Sequence, residues 1–125
     1  MIPSNLKYTK THEWVEVLSS GNVRVGISDY AQDALGDIVF INLPEAGESL
    51  GLRDSFAEVE SVKAVSEIYS PVEGTIHAVN TVLEDEPERI NSTPYDAWII
   101  ELENPGAFAE LLDASEYEEF IKQEG

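Results

Sequence analysis

The chain of 125 residues contains no cysteine, which excludes disulfide frameworks, thiolate zinc sites and cysteine nucleophiles. Redox chemistry would therefore need a group that the chain does not itself supply. Positive charge is also scarce, because 7 lysines and arginines stand against 25 acidic residues and the formal net charge is -18. Such a charge repels phosphate backbones and anionic lipid head groups, so we expect no nucleic acid and no membrane surface as a partner. It favours encounter with proteins that present basic faces.

Long hydrophobic runs are missing as well. No apolar stretch approaches the length of a membrane span, and residues 1–10 lack the apolar region of a secretory signal. We therefore expect a cytoplasmic protein, or one of the mitochondrial matrix if this is a processed mature chain. The length suits one domain over residues 1–125, which we expect to be monomeric.

Signatures of common catalytic sites are absent. The two histidines, His12 and His77, lie far apart without cysteine, so we expect no metal site. Glycine-rich nucleotide motifs and the serine-hydrolase elbow do not occur. Because acidic residues are so abundant, no pair of carboxylates can be singled out as a general acid and base. A hydrolase or lyase remains an alternative without a recognisable catalytic pair, and we expect that the chain is not an enzyme.

Short strands separated by turn residues are predicted along most of the chain. Alternation predicts a β-hairpin from Glu13–Leu18 and Val23–Ile27. Ser28 is a candidate N-cap for a helix over 29–35, which Gly36 would end. Further strands are expected at Ile38–Leu43, Ser55–Val62, Val65–Tyr69, Thr75–Val79 and Trp98–Leu102.

Helices are predicted mainly in the second half. Residues 81–84 match a capping box that would begin a short helix, and Asn104-Pro105 would begin another. The latter would carry Phe108, Leu111 and Leu112 at helical spacing, and a last helix from Ser115 would bury Tyr117, Phe120 and Ile121. Many short strands with helices at the margins favour a small β-barrel or sandwich.

One lysine is set apart from the other three. Lys7, Lys10 and Lys122 lie near the ends, whereas Lys63 falls at the predicted reversal between two strands. Small or β-branched neighbours leave its amine accessible. A surface lysine in weak ion pairs is the ordinary interpretation of such a position. The turn at 71–74 follows Lys63 at a spacing typical of swinging-arm carriers, and this favours a carrier lysine.

The segment Glu60-Ser61-Val62-Lys63-Ala64, followed by Ser70-Pro71-Val72-Glu73-Gly74, resembles the lipoylation motif of glycine cleavage system H proteins. A biotin carrier would place methionine on both sides of the lysine, where this chain has Val62 and Ala64. Lipoyl domains of 2-oxoacid dehydrogenases share the hairpin lysine but lack two segments that this chain has, His12-Glu13-Trp14 and Asn91 to Tyr95. Those segments span nearly the whole chain and lie at 8–14, 25–28, 31–32, 35–40, 43–47, 79–80 and 91–95.

The resemblance implies a mainly β fold, the barrel-sandwich hybrid of lipoyl and biotinyl carriers, with short flanking helices. It implies that lipoate is amide-linked to Lys63 and carries an aminomethyl group from glycine decarboxylase (P protein) to aminomethyltransferase (T protein). Dihydrolipoyl dehydrogenase (L protein) would then reoxidise the arm. A lipoate ligase or an octanoyl or lipoyl transferase would attach it. The alternative within this class is a lipoate relay that passes lipoyl groups to 2-oxoacid dehydrogenases.

The resemblance also implies roles for side chains around Lys63. Thr11, Glu13 and Glu67 match the positions of a cleft that shelters the loaded arm. Four further residues would be recognised during lipoylation: Glu60, Ser61, Val62 and Ala64.

The chain departs from the usual family pattern at three places. Tyr30 stands where histidine is common, and the segment Tyr95 to Trp98 is short. Glu101 and Glu103 replace residues that are usually basic. We therefore expect these departures to affect the surfaces that contact partner proteins.

Overall fold

Two antiparallel sheets with helices at their margins form the fold of residues 2–124, which the computed structural model describes. The strands are β1 (Lys7–Tyr8), β2 (Glu13–Val17), β3 (Val23–Ile27), β4 (Ile38–Asn42), β5 (Ser49–Leu50), β6 (Ser55–Ser61), β7 (Val65–Tyr69), β8 (Gly74–Val79) and β9 (Ile100–Glu103). The helices are α1 (Asp29–Leu35), α2 (Val82–Asp85), α3 (Arg89–Ser92) and α4 (Ala114–Glu124). One sheet has the order β1-β2-β3-β9-β8-β5 and the other has the order β4-β6-β7. The expected mainly β fold with short flanking helices is confirmed.

The core lies between the two sheets because alternate side chains of each strand point inward. Val25 and Ile100 from the larger sheet, and Ile41, Val59 and Ile68 from the smaller one, are almost fully buried. A second apolar cluster lies beneath α4. It contains Leu6, Tyr8, Trp14 and Tyr117, and the rings of Tyr8 and Tyr117 stack at 4.6 Å.

The predicted hairpin and the helix after it are confirmed. β2 and β3 pair in antiparallel register, with Trp14 opposite Gly26. The Ser28 hydroxyl caps α1 by accepting a hydrogen bond from the Ala31 N–H at 3.2 Å. Gly36 ends α1 with a φ of 83°, a left-handed conformation that favours glycine.

The contact between Gly26 and Trp14 leads to a stability prediction. A Cβ atom at residue 26 would lie 2.5 Å from ring atoms of the buried Trp14. Because this ring has no space to move, Gly26→Ala should lower the free energy of unfolding by about 1–3 kcal/mol. Urea denaturation measures the change. Gly51→Ala is the control, since its Cβ would meet its nearest neighbour at an ordinary 3.4 Å. Equal stability of the two variants would contradict the packing argument.

The prediction of a helix after Asn104-Pro105 is wrong. Asn104 has a φ of 51°, a left-handed conformation that turns the chain away from a helical path. The segment that follows is irregular and pairs with other parts of the chain instead. Phe108 forms an isolated bridge with Val72, and Leu112 forms one with Tyr8. These backbone bonds satisfy groups that a helix would have paired internally.

Helix capping differs from the sequence prediction in one further respect. A short helix does follow Thr81, but the Thr81 side chain makes no capping hydrogen bond. A reciprocal capping box is found instead before α4. There the Glu116 N–H donates to Asp113 Oδ1 at 2.8 Å, and the Asp113 N–H donates to Glu116 Oε1 at 2.9 Å.

The remaining differences concern short elements. The last strand begins at Ile100, two residues later than predicted, and the sequence analysis did not predict β1, β5 or α3. α4 begins at Ala114, one residue earlier than expected; it buries Tyr117 fully but Phe120 and Ile121 only in part. Within residues 2–124, no helix is both long enough and apolar enough to span a membrane.

Candidate functional site: an exposed lysine and a buried glutamate

Lys63 lies at the tip of the hairpin between β6 and β7, as predicted. The two strands pair up to Glu60 opposite Val65, and the residues between them form the turn. The side chain is exposed, and Nζ makes no ion pair with any carboxylate of residues 2–124. Glu58, Glu60 and Glu67, the glutamates near the hairpin tip, therefore do not hold the amine. Lys63 is free to react with a group brought from outside.

Buried Ser61 fixes the shape of the turn. Its hydroxyl oxygen accepts hydrogen bonds from the N–H groups of Ala64 at 3.0 Å and Lys63 at 3.3 Å. Its own N–H donates to the Ala64 carbonyl at 2.8 Å. Ser61, one of the four residues predicted for lipoylation recognition, thus stabilises the turn. Glu60, Val62 and Ala64 are exposed and accessible to another protein.

A second contact ties the turn to the end of α1. The Val62 N–H donates to the Asp37 carbonyl at 3.0 Å. The lysine stem passes beside Gly36, where an added Cβ would lie 3.4 Å from Lys63 Cε. The Asn91 side chain fixes this end of α1. Its amide nitrogen donates to the Gly36 carbonyl at 2.9 Å, and its amide oxygen accepts from the Ile38 N–H at 2.8 Å. Hydrogen bonds therefore hold the backbone at the attachment point, whereas the Lys63 side chain is exposed to solvent.

The buried carboxylate of Glu13 is the second feature of the site. Glu13 is 2% exposed, and Oε1 accepts hydrogen bonds from the hydroxyls of Thr9 and Thr11 at 2.6 and 2.5 Å. Oε2 accepts a longer bond of 3.4 Å from the Tyr69 N–H. All of these donors are neutral, and no ion pair of residues 2–124 includes Glu13. The arrangement is a desolvated acceptor without a cation at ion-pair distance among residues 2–124.

Burial raises the pKa of the Glu13 carboxyl above its ordinary value near 4.5, although hydrogen bonds from Thr11, Thr9 and the Tyr69 N–H act in the opposite direction. Loss of hydration therefore outweighs the neutral donors. A cation that entered the site would favour the ionised form.

This pKa shift predicts how stability depends on pH. Because the folded chain holds the Glu13 proton more tightly than the unfolded chain, its stabilising effect is present below about pH 4.5 and is lost as pH rises through the raised pKa. Glu13→Gln removes this titration. Its unfolding free energy, relative to wild type, should therefore rise as the pH increases above about 4.5 in urea denaturation. Glu16→Gln, on the same strand, is the control. A difference that stays constant or falls with pH would contradict the assignment.

A small cavity of about 30 Å³ opens beside Glu13. That volume accommodates a group of the size of one or two water molecules. Thr11, Arg53 and Tyr69 also line a wider opening that adjoins it. The cavity is lined by Thr9, Lys10, Thr11, Glu13, Arg53, Tyr69, Ser70, Pro71, Ala109 and Glu110.

The structure brings two of the three predicted cleft residues together. Thr11 and Glu13 share a hydrogen bond and line one cavity. Glu67 is exposed and does not line it, but Oε2 accepts a hydrogen bond from the Tyr69 hydroxyl at 3.3 Å. Tyr69 thus links Glu67 to the cavity. The distance from the hairpin is short, since β7 runs from Val65 to Tyr69, roughly 13 Å.

Sequence reasoning missed several residues of this site. Thr9 and Tyr69 bind the Glu13 carboxylate, and Asn91 supports the turn. The spacing of Thr9, Thr11 and Glu13, each two residues apart, was the available signal for Thr9. Asn91 lies in the matching segment 91–95, but nothing local indicates its role or that of Tyr69, because their partners lie more than 50 residues away.

A buried network holds the loop that presents Thr11 and Glu13. His12 has a φ of 73°, and its Nδ1 lies 2.8 Å from the Tyr117 hydroxyl. That hydroxyl also lies 2.6 Å from Ser28 Oγ, the N-cap of α1. Burial raises the pKa of Tyr117, so the hydroxyl stays protonated at physiological pH. α4 is therefore connected through His12 to the wall of the cavity.

The other positions named in the sequence analysis make contacts within the fold. Within residues 2–124 no cluster of three or more His, Asp or Glu residues could hold a metal ion. The Tyr30 ring lies 4.8 Å from the His12 ring, and the Tyr95 hydroxyl accepts from the Asp29 N–H. Glu101 pairs with Arg24 at 3.2 Å, and hydrogen bonds from Asn22 and Arg24 lower its pKa.

Comparisons with known proteins identify a matching family and close relatives over nearly the whole chain. A family profile described as glycine cleavage H-protein matches residues 6–124. The glycine cleavage system H protein of Lachnoclostridium phytofermentans is 50% identical over 120 residues, which cover 96% of this chain and 94% of that protein. The probable glycine cleavage system H protein of Pyrococcus furiosus is 50% identical over 124 residues, with 97% and 92% covered.

A solved structure extends the likeness to the fold. The crystal structure of a glycine cleavage system H protein from Mycobacterium marinum superposes with a TM-score of 0.88 and 43% sequence identity, and 99% of each chain is covered. The expected barrel-sandwich fold of lipoyl carriers is confirmed.

Proposed function

The chain belongs to the glycine cleavage H-protein family, and we propose that it works there as a carrier through a lipoyl group amide-linked to Lys63. The observation that carries this proposal is the position of Lys63 at the tip of a rigid hairpin, exposed and without an ion-pair partner among residues 2–124. Rigid strands fix the attachment point, and a long mobile arm can then reach the active sites of several enzymes.

The residues around Lys63 fit a covalently attached arm. Gly36 leaves space beside the lysine stem, and Val62 and Ala64 present no charge that would hold the arm down. When bound, lipoate supplies the sulfur pair that takes up an aminomethyl group and two electrons, which a chain without cysteine cannot do.

Membership of the family implies the partners. Glycine decarboxylase provides the aminomethyl group, aminomethyltransferase removes it, and dihydrolipoyl dehydrogenase restores the disulfide. A lipoate ligase or an octanoyl or lipoyl transferase attaches the arm. In this scheme the chain itself catalyses none of these steps, in keeping with a family of carrier proteins.

Glu13 and Thr11 have the chemistry to hold the cationic end of the loaded arm. An ammonium group would give the buried Glu13 carboxylate the counter-charge that it lacks among residues 2–124, in a charge-assisted hydrogen bond. The cavity of about 30 Å³ suits an aminomethyl head group. Glu67 acts at the mouth through its contact with the Tyr69 hydroxyl. Water is largely displaced from such a site, which protects the cargo from hydrolysis.

The lipoate-relay alternative is not favoured, since the relatives that match over nearly the whole chain bear the glycine cleavage name. One experiment separates the two functions. Lipoylated and unmodified chain are each mixed with purified glycine decarboxylase and carboxyl-labelled glycine, and released labelled carbon dioxide is measured. The carrier function predicts release only with the lipoylated chain. Transfer of lipoate to an unmodified 2-oxoacid dehydrogenase domain, without release of carbon dioxide, would support the relay instead.

A further inference from the structure

Arg53 is a positive charge without a carboxylate partner in a chain that has few cations. The sequence has 7 lysines and arginines against 25 acidic residues. Even so, the exposed Arg53 side chain makes no ion pair with any carboxylate of residues 2–124. It lines both the cavity of about 30 Å³ beside Glu13 and the wider opening that adjoins it. The guanidinium is therefore available to a group that enters the cavity.

Backbone hydrogen bonds hold Arg53 beside the end of β7. The Arg53 N–H donates to the Ser70 carbonyl at 2.9 Å, and the Ser70 N–H donates to the Asp54 carbonyl at 2.8 Å. Arg53 has a φ of 65°, a left-handed conformation that few residues other than glycine adopt. Such conformations persist where the surrounding structure enforces them, often at functional sites. The base of the side chain is thus fixed close to Tyr69, whose N–H binds Glu13.

Arg53 is not the counter-ion of Glu13, although both residues line one cavity. The two groups form no ion pair, and the pKa of the Glu13 carboxyl is set by burial and by neutral hydrogen-bond donors. Lys10 and Glu110, which also line the cavity, pair with each other at 3.1 Å. The cavity therefore has an acidic and a basic group that are both unmatched within residues 2–124.

The head group of a loaded arm has charges that fit these unmatched groups. When an aminomethyl group is bound to one sulfur of the opened dithiolane, its amine is protonated and the other sulfur is a thiol. Loss of the thiol proton to water gives a thiolate, which a neighbouring guanidinium stabilises. A short carbon chain joins the two sulfurs, so that both charges can enter one small cavity. The oxidised arm is a neutral cyclic disulfide and has neither charge.

We propose that Arg53 binds the free sulfur of the loaded arm and holds it as a thiolate, while Glu13 binds the ammonium group of the same arm. Both contacts are charge-assisted, and neither uses a charge that is already paired within residues 2–124. Arg53 thereby determines specificity, because the cavity retains the loaded arm and not the neutral oxidised arm. This inference rests on the proposed function, since it requires a lipoyl group on Lys63.

The test measures the pKa of the free thiol in the loaded chain. Wild type and Arg53→Gln are lipoylated, loaded with glycine by an excess of glycine decarboxylase, and separated from that enzyme. Iodoacetamide then alkylates the thiolate with loss of iodide, and intact mass follows the rate from about pH 6 to pH 11. Because the chain has no cysteine, only the arm offers a thiol. The pH of half-maximal rate gives the thiol pKa, whereas shelter in the cavity changes only the maximal rate.

The half-maximal pH should be about 0.5–1 unit lower in wild type than in Arg53→Gln, because an opposite charge favours the thiolate and solvent partly screens it. Arg53→Lys, which keeps the charge, should recover most of this difference. Arg89→Gln is the matched control, since Arg89 is exposed, does not line the cavity and forms an ordinary surface ion pair with Glu86. It should shift the half-maximal pH by less than about 0.2 unit.

Other charged or titratable side chains in or beside the cavity are the same in wild type, Arg53→Gln, Arg53→Lys and Arg89→Gln. A difference between wild type and a variant at residue 53 therefore reports the change at that residue. These side chains are Lys10, Glu13, Asp54, Glu67, Tyr69 and Glu110.

A double variant connects the effect to the docked arm. Glu13→Gln should itself raise the thiol pKa, and Arg53→Gln should add little to it, because an arm that has left the cavity no longer contacts Arg53. Additive shifts would overturn the assignment.

The remaining outcomes are equally decisive. Equal half-maximal pH values in wild type and Arg53→Gln, or the same shift in Arg89→Gln, would overturn the role of Arg53 and leave the carrier function intact. Failure of Arg53→Gln to accept cargo would place Arg53 in the contact with the decarboxylase and would also overturn it. A chain that takes up no lipoate on Lys63 would overturn the proposed function itself.

Discussion

Lys63→Arg is expected to reduce carriage of the aminomethyl group to background while the thermal unfolding midpoint stays within about 2 °C of wild type. Arginine keeps the positive charge and a similar stem, but its guanidinium stays protonated and does not form the amide. Stability should hardly change because Lys63 is exposed and makes no ion pair with residues 2–124. The measurements are lipoyl incorporation, labelled carbon dioxide release and calorimetric unfolding.

Lys122→Arg is the matched control for this prediction. Lys122 is also exposed, and its ion pairs with Glu118 and Glu119, both at 3.7 Å, are of the weak surface kind. It should leave lipoylation and carriage unchanged. Residual carriage in Lys63→Arg would place the arm elsewhere. A large loss of stability in Lys63→Arg would instead mean that the lysine has a structural task.

Glu13→Gln is expected to speed the spontaneous loss of cargo from the loaded protein by about tenfold to a hundredfold. A hydrogen bond to a charged group contributes about 1.5–3 kcal/mol, and 1.4 kcal/mol corresponds to a factor of ten. The glutamine keeps the size and an acceptor oxygen for Thr9 and Thr11, so the cavity should persist while the counter-charge is lost. Decay is followed by intact mass after the loaded protein is separated from the enzymes.

Two controls make this result specific to the cavity. Glu16→Gln removes the same charge from the same strand outside the cavity and should decay at the wild-type rate. Lipoylation of Lys63 should proceed normally in both variants, because the Glu13 carboxylate is buried and binds Thr9, Thr11 and Tyr69 rather than the turn. If Glu13→Gln also retains its cargo as long as wild type, Glu13 is not the partner of the amine.

Local patterns were sufficient to predict the hairpin that carries Lys63. Its alternation, the reversal between two strands and the Ser28 and Gly36 ends of α1 all depend on neighbouring residues. The false helix after Asn104 shows the limit of the same reasoning. Helical spacing was present there, but backbone pairing of this segment with Val72 and Tyr8 determined its conformation.

The buried state of Glu13 could not be predicted from local patterns. In a chain with 25 acidic residues, composition favours exposure for each one. What buries Glu13 is the approach of Tyr69, 56 residues along the chain, together with the loop that His12 and Tyr117 hold in place. The resemblance identified the position, whereas its desolvation and neutral donors emerge only from the three-dimensional arrangement.

Peptide mass mapping of the protein from cells that make lipoate tests the central claim most directly. The account predicts a lipoyl adduct on Lys63 and none on Lys7, Lys10 or Lys122. An unmodified Lys63 with lipoate on one of the other lysines would contradict it. So would a wholly unmodified chain in cells whose 2-oxoacid dehydrogenases are lipoylated.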